Sequence, residues 1–325
     1  MKNLKTILGT LLMTALLFTS CSKNDDGDII IIPPTADDFS NLKQDAIDAL
    51  TQEFSFNAED GSTTFTSDKG VEITINGNCL TINGNSVTGQ VDIKYVELFE
   101  KGNMLTTNKP TMGVLPNGDK ALLISGGEFL IEATQNGQPL ETSCVVQLII
   151  PNNLTGGADN NMLLWKGRVD AKDNLAWDEV NGGAAGQEGG VFNEGGSYYA
   201  FFNEFGWSNV DRFYNDPRPK TTILVGVPEG YDNNNSAVYL SYDGEDSGLA
   251  NLDTYDAGTG LFSEHYGQIP IGLECQIIFV TEEDGNWRYA IKSVTIAADD
   301  VFTFTYDETT VVTEAQLTAI INGLP

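Results

Sequence analysis

The sequence predicts an all-β protein: two β-sandwiches in tandem, over residues 54–155 and 156–310, with a short helix near each end. Three observations predict it. Short runs of alternating apolar and polar residues recur at roughly ten-residue intervals, the spacing of sandwich strands. Turn formers crowd the gaps, for the 325 residues include 34 glycines and many Asn and Asp. Helical periodicity with caps appears in two segments, one towards either end.

The chain opens on Lys2 and Lys5, followed by an apolar run from Ile7 to Phe18 of about 12 residues. That run is too short to span a bilayer and reads as the core of a signal peptide over residues 1–20. Leu17-Phe18-Thr19-Ser20-Cys21 resembles the lipobox cut by the lipoprotein signal peptidase, with Phe18 where leucine is commonest. Cys21 would then be the lipidated first residue of the mature chain. Ser22-Lys23-Asn24-Asp25-Asp26-Gly27-Asp28 resembles the acidic export signal of surface lipoproteins. The expected place is the outer membrane, exposed at the cell surface and held by acyl chains.

Residues 21–53 form the acidic tether and the first helix. Ile29 to Ile32 are stopped by Pro33-Pro34. Thr35-x-x-Asp38 is a capping box, and Phe39, Leu42, Ala46 and Leu50 share a face.

Strands follow at Ser62–Ser67 and Val71–Ile75, parted by the turn Asp68-Lys69-Gly70. Leu80-Thr81-Ile82 meets the hairpin signal Asn83-Gly84. Gln90–Leu98 alternates as a half-buried strand. Ala121–Ile124 and Glu128–Ala133 are expected to be separate strands with Ser125-Gly126-Gly127 as their turn. Cys144–Ile150 closes the block at Pro151.

The second block reads as strands at Met162–Lys166, Ser197–Asn203, Thr221–Val227, Ala237–Tyr242, Cys275–Thr281, Arg288–Ile296 and Val301–Thr305. Gly182–Gly190 is a loop without the GxxxxGK[ST] of a phosphate cradle. Residues 311–325 hold the second helix, capped at Thr313-x-x-Gln316, with Leu317, Ile320 and Ile321 on one side and Gly323 beyond.

The order Gly70-Val71-Glu72-Ile73-Thr74-Ile75, Leu80, Gly84, Thr88-Gly89-Gln90-Val91-Asp92-Ile93-Lys94-Tyr95, Gly126-Gly127-Glu128-Phe129-Leu130-Ile131-Glu132-Ala133 and Asn136-Gly137-Gln138-Pro139-Leu140 resembles the ZU-type β-sandwich of ankyrins and netrin receptors. It resembles more closely the version carried by uncharacterised surface lipoproteins of Gram-negative bacteria. Met162-Leu163-Leu164-Trp165, Leu175-Ala176-Trp177 and the run Phe205–Tyr214 extend the resemblance over residues 54–305. A polar Asn76-Gly77-Asn78 stands where the family has proline and alanine. The resemblance implies a ZU-type fold for residues 54–155 and a surface location, and it transfers no activity. Some ZU-type domains cleave themselves at a His-Phe-Ser step. Here His265 is followed by Tyr266 and Gly267, so self-cleavage is not implied.

The net charge of −29 becomes −31 once residues 1–20, with their two lysines and no acid, are removed. Such a surface repels phosphate backbones, so no nucleic-acid partner is expected. One histidine rules out a two-histidine metal motif, and no GxSxG supplies a nucleophile. His265 reads as a surface-loop residue.

No cofactor is expected. Calcium is the one ion worth weighing, in the loop Asp243-Gly244-Glu245-Asp246-Ser247-Gly248 with Asp253 and Asp256, although the spacing is not that of an EF-hand. Of the cysteines beyond Cys21, each of Cys79, Cys144 and Cys275 sits in or beside an apolar run and reads as a buried thiol. A Cys79–Cys144 bridge is one pairing the count permits.

Trp207, Asp211, Arg212 and Tyr214 are the candidate binding residues. Exposed, the cluster could stack on sugars or peptides; buried, it is a core corner with Arg212 paired to Asp211 or Asp216. The functional expectation is a lipid-anchored binding or adhesion module without catalysis, whose partner is a glycan or an envelope protein. A structural subunit of an outer-membrane complex is the alternative, and a carboxylate-based glycoside hydrolase the third reading.

Overall fold

The structure is a computed structural model that describes residues 31–169, 175–180 and 189–325. The signal segment, Cys21, the acidic stretch after it and most of the loop Gly182–Gly190 lie outside the described residues. The chain divides into Met1–Ile32 and one unit, Pro33–Pro325. Strands make up 51% and helices 15%, which makes the fold all-β.

Helix α1 (Ala36–Leu50) starts at the expected capping box. The Thr35 hydroxyl accepts the Asp38 N–H, and the Asp38 carboxylate accepts the Thr35 N–H. Phe39, Leu42 and Ala46 are its buried residues.

One large antiparallel sheet runs, in spatial order, through Gln52–Asn57, Gln90–Leu98, Lys120–Gln135, Gly206–Phe213, Leu163–Val169 and Leu175–Glu179, and ends on Met112–Val114 in a parallel pairing. A second sheet faces it, in the order Gly190–Glu194, Ser197–Phe202, Val146–Pro151, Glu72–Asn76, Ser62–Thr66. Alternation along these strands turns Ile73, Ile93, Tyr95, Phe129, Leu148 and Tyr198 into one core between the sheets.

Two further sheets follow in the chain. One runs Thr254–Asp256, Leu261–Pro270, Lys220–Gly226, Val301–Thr303; the other runs Ala250–Asn251, Ser236–Tyr242, Glu274–Glu283, Asn286–Thr295, Thr310–Val312. Glu274–Glu283 is buried at eight consecutive positions, so both faces of its sheet are covered. Phe279 packs on Phe304 on one side. Ile278 and Val280 pack among helices on the other.

Those helices are α1, α2 (Lys101–Thr106) and α3 (Glu314–Asn322). They share a core with Val96 and Leu98 from the outer face of the first large sheet, and with Tyr239 and Trp287 from the later one. At Gly102 an added Cβ would lie 2.5 Å from the Thr318 carbonyl, so α2 meets α3 backbone to backbone.

Three expectations are corrected. The expected boundary at 155/156 runs through a sandwich. Val146–Pro151 pairs with Ser197–Phe202 and Lys120–Gln135 with Gly206–Phe213, so both sheets of this sandwich continue past residue 155. Second, Ser125-Gly126-Gly127 is no turn. It lies inside a single strand, Lys120–Gln135, at a register shift opposite Val210. Glycine is required there because a Cβ on Gly126 would sit 2.8 Å from the Val210 carbonyl, and Gly127 has φ +131°. Third, Cys79 and Cys144 are not free thiols but are joined, with Cα atoms 5.6 Å apart, whereas Cys275 is the buried free thiol expected. The bridge ties Leu80–Ile82 to Glu141–Thr142, which pair side by side.

Candidate functional site

Strand Gly206–Phe213, with Tyr214 just beyond its end, sends the four expected binding residues to different places. Trp207, half-buried, faces the outer side of the large sheet. Its ring meets Trp177 edge-on at 6.5 Å, and the Lys109 ammonium lies 5.7 Å from its centroid. Asp211 is fully buried. Tyr214 packs edge-on against Tyr242 at 5.3 Å and its hydroxyl bonds Asp216 at 3.3 Å. Of the four, only Arg212 lines a cavity of about 560 Å³. The four therefore form no single surface, because alternation along a strand parts neighbours.

Neither expected partner holds Arg212. Its Nε donates to Asp159 at 2.5 Å and its Nη1 to the Phe213 carbonyl at 3.2 Å. Asp216 belongs to Arg218, whose guanidinium holds that carboxyl down at about 2.

The cavity beside Arg212 has a volume of about 560 Å³. Its apolar lining is Phe99, Ile124, Leu154 and Met162, and its polar lining includes Glu100, Thr155, Asp159, Glu245, Asp246 and Asn322. Five separate segments supply these groups. The turn at 244–247 is docked by the Ser125 N–H, which donates to the Ser247 carbonyl at 3.1 Å. Asp159 is fixed from two sides: it accepts the Asn161 N–H at 2.8 Å, and its own N–H donates to the Tyr198 hydroxyl at 2.8 Å. The Asn161 N–H, with Arg212, holds the Asp159 carboxyl below its ordinary range. Glu245 differs. Loss of water raises its carboxyl, Arg212 opposes that rise, and Asp246 adds to it. Apolar walls, converging polar groups and a displaced carboxyl are the marks of a ligand site.

A second cleft, of about 430 Å³, lies at the other end of the strand, with Lys166, Asp178, Glu179, Phe205 and Trp207 in its lining. Surface ion pairs Lys166–Glu204 (2.6 Å) and Arg168–Asp178 (2.8 Å) edge it.

Much of the acidic run weighed for calcium is engaged by protein donors. Asp243 accepts the Gln276 amide at 3.1 Å, Asp253 takes Lys120 and the Tyr266 hydroxyl, and Asp256 accepts the Gly258 N–H at 2.8 Å. Among the described residues no three of His, Cys, Asp or Glu come together as a metal site. His265 lies within the strand Leu261–Pro270 rather than in a loop. Beside it Glu264 is 2% exposed, and burial pushes its carboxyl up to about 7.

The sequence reading missed Asp159, Glu100 and Thr155 at the cavity, and it took Glu245 for a calcium-loop residue. It also missed the buried polar segment Thr107–Thr111. There Asn108 accepts the Tyr239 hydroxyl at 2.5 Å, and the Pro110 carbonyl accepts the Trp177 indole N–H at 3.0 Å. No protein-family model and no curated protein matches the chain.

Proposed function

We propose that this protein is a lipid-anchored envelope module, exposed at the outer membrane, that binds a ligand in the Arg212 cavity without transforming it. The cavity is the observation that carries the reading: a space of about 560 Å³ with an apolar floor and a rim of polar groups from five segments. The rim is acidic, since Glu100, Asp159, Glu245 and Asp246 surround one arginine. The ligand that fits has an apolar body and a cationic group. Its ammonium would relieve the desolvated Glu245 while its stem covers Phe99, Ile124 and Leu154.

Two features support the location. Cys21 follows a signal-like segment, and the Cys79–Cys144 bridge belongs to an oxidising compartment. Residues 54–155 are read, within this proposal, as a ZU-type sandwich.

A series of alkylamines, with the matching alcohols as uncharged controls, tests the cavity. The amines are expected to raise the melting temperature and the alcohols to leave it unchanged, with the amine effect lost in Glu245→Gln. Equal shifts from both series, or an undiminished shift in the variant, reject the site. The anchor is tested separately: cells fed a labelled fatty acid are expected to label the wild type and not Cys21→Ala.

A further inference from the structure

On two neighbouring strands of the large sheet, Lys120–Gln135 and Gly206–Phe213, two carboxylates are sealed from water. Glu128 and Asp211 are each 0% exposed. Among the described residues, neither oxygen of Glu128 nor Oδ1 of Asp211 has a hydrogen-bond partner. Asp211 Oδ2 accepts the Asn209 amide at 2.5 Å, and the Ser125 hydroxyl donates to Asn209 Oδ1 at 3.1 Å. The register shift at Gly126-Gly127 assembles the group, setting Glu128 across from Asn209 and Ser125 across from Asp211.

The titratable neighbours come from each element packed here. Lys109, 2% exposed, enters from the segment after α2 and acts on Glu128 through space. From the later sheet, Tyr239 reaches the same segment through Asn108. The Lys109 ammonium lies over the Trp207 ring, and the Trp165 indole N–H donates to the Asp211 carbonyl at 2.9 Å.

A carboxylate buried without a donor against its oxygens is among the costliest charges a fold can hold. A proton on the carboxyl removes that charge. We propose that Glu128 and Asp211 hold a proton inside the folded sheet and that the packing around them loosens when it leaves.

Burial pushes both carboxyls well above their ordinary range; Asp211 raises Glu128 further, and Lys109 pulls it back. An acid raised in the folded state binds its proton where the unfolded chain has released it. The stability it contributes is therefore complete at low pH and drains away as pH rises through the folded value, with a slope of about tenfold in the folding equilibrium per pH unit for one proton.

Urea unfolding of the full chain across the alkaline range tests this. The wild type is expected to show that slope, and Glu128→Gln, which carries its own hydrogen, to lack it. Hydrogen exchange at residues 107–111 should rise with pH beyond the intrinsic rate in the wild type only. If Glu128→Gln and Asp211→Asn both keep the wild-type slope, the proposal is wrong. Should neither variant fold, infrared spectra of the wild type decide. A protonated carboxyl band must persist at about pH 9, where Glu264, pushed up to about 7, has ionised; its absence overturns the proposal.

Discussion

Replacing Cys79 and Cys144 together by serine lowers the unfolding free energy by about 4 kcal/mol. The bridge spans a sequence separation of 65, and loop-closure entropy at that length sets the figure. Little of the folded contact depends on the sulfurs. Thr81 still pairs with Glu141, and the Ser143 N–H still donates to the Cys79 carbonyl at 3.0 Å. The cost arises in the unfolded chain, which regains the freedom of the loop. Urea curves with and without reductant check it: reductant should bring the wild type down to the variant's midpoint and leave the variant unmoved. A loss below about 1 kcal/mol would mean that the unfolded chain already keeps this loop closed by other contacts.

Trp165→Ala costs about 3–5 kcal/mol, and Trp165→Phe about 1–3 kcal/mol. The indole is fully buried among Leu123, Leu175 and Trp177 and meets Phe213 edge-on at 5.1 Å. Alanine leaves a cavity there and strips the Asp211 carbonyl of its donor. Phenylalanine fills most of the space and loses only the donor. Equilibrium unfolding of both variants separates the two contributions, and equal losses would show that the hydrogen bond, not the packing, dominates. The site matters beyond its size because the same indole braces the strand that carries Asp211, one of the two sealed carboxylates.

Local structure was legible wherever one short segment contains its own instructions. Thr35 with Asp38 and Thr313 with Gln316 build both expected caps, and Leu317 and Ile321 are buried as their spacing predicts. Asn83 at φ 50° with Gly84 at φ 76° makes the expected hairpin turn, as Asp284 and Gly285 do further on. Glycine pairs mislead at Gly126-Gly127, because a bulge and a turn make the same demand for a missing Cβ.

Sheet partnership was not legible. Nothing in Val146–Pro151 announces Ser197–Phe202 as its neighbour, so the expected boundary fell between strands that pair. The cavity was hidden for the same reason. Arg212 and Asp159 stand 53 positions apart, and Glu245 comes from a turn of the later half. Thr107-Asn108-Lys109-Pro110-Thr111 reads as a polar loop, yet every residue of it is buried, because its polar groups are answered by strands remote in sequence.

The core around α1 gathers Phe39 and Leu42 with Leu317 and Ile321. A chain emerging in order from a ribosome or a translocation pore presents Phe39 first and must wait almost 280 residues for Leu317 to cover it. Val96, Leu98 and Leu105 reach α1 earlier, but the cluster is complete only when α3, the last helix, has been made.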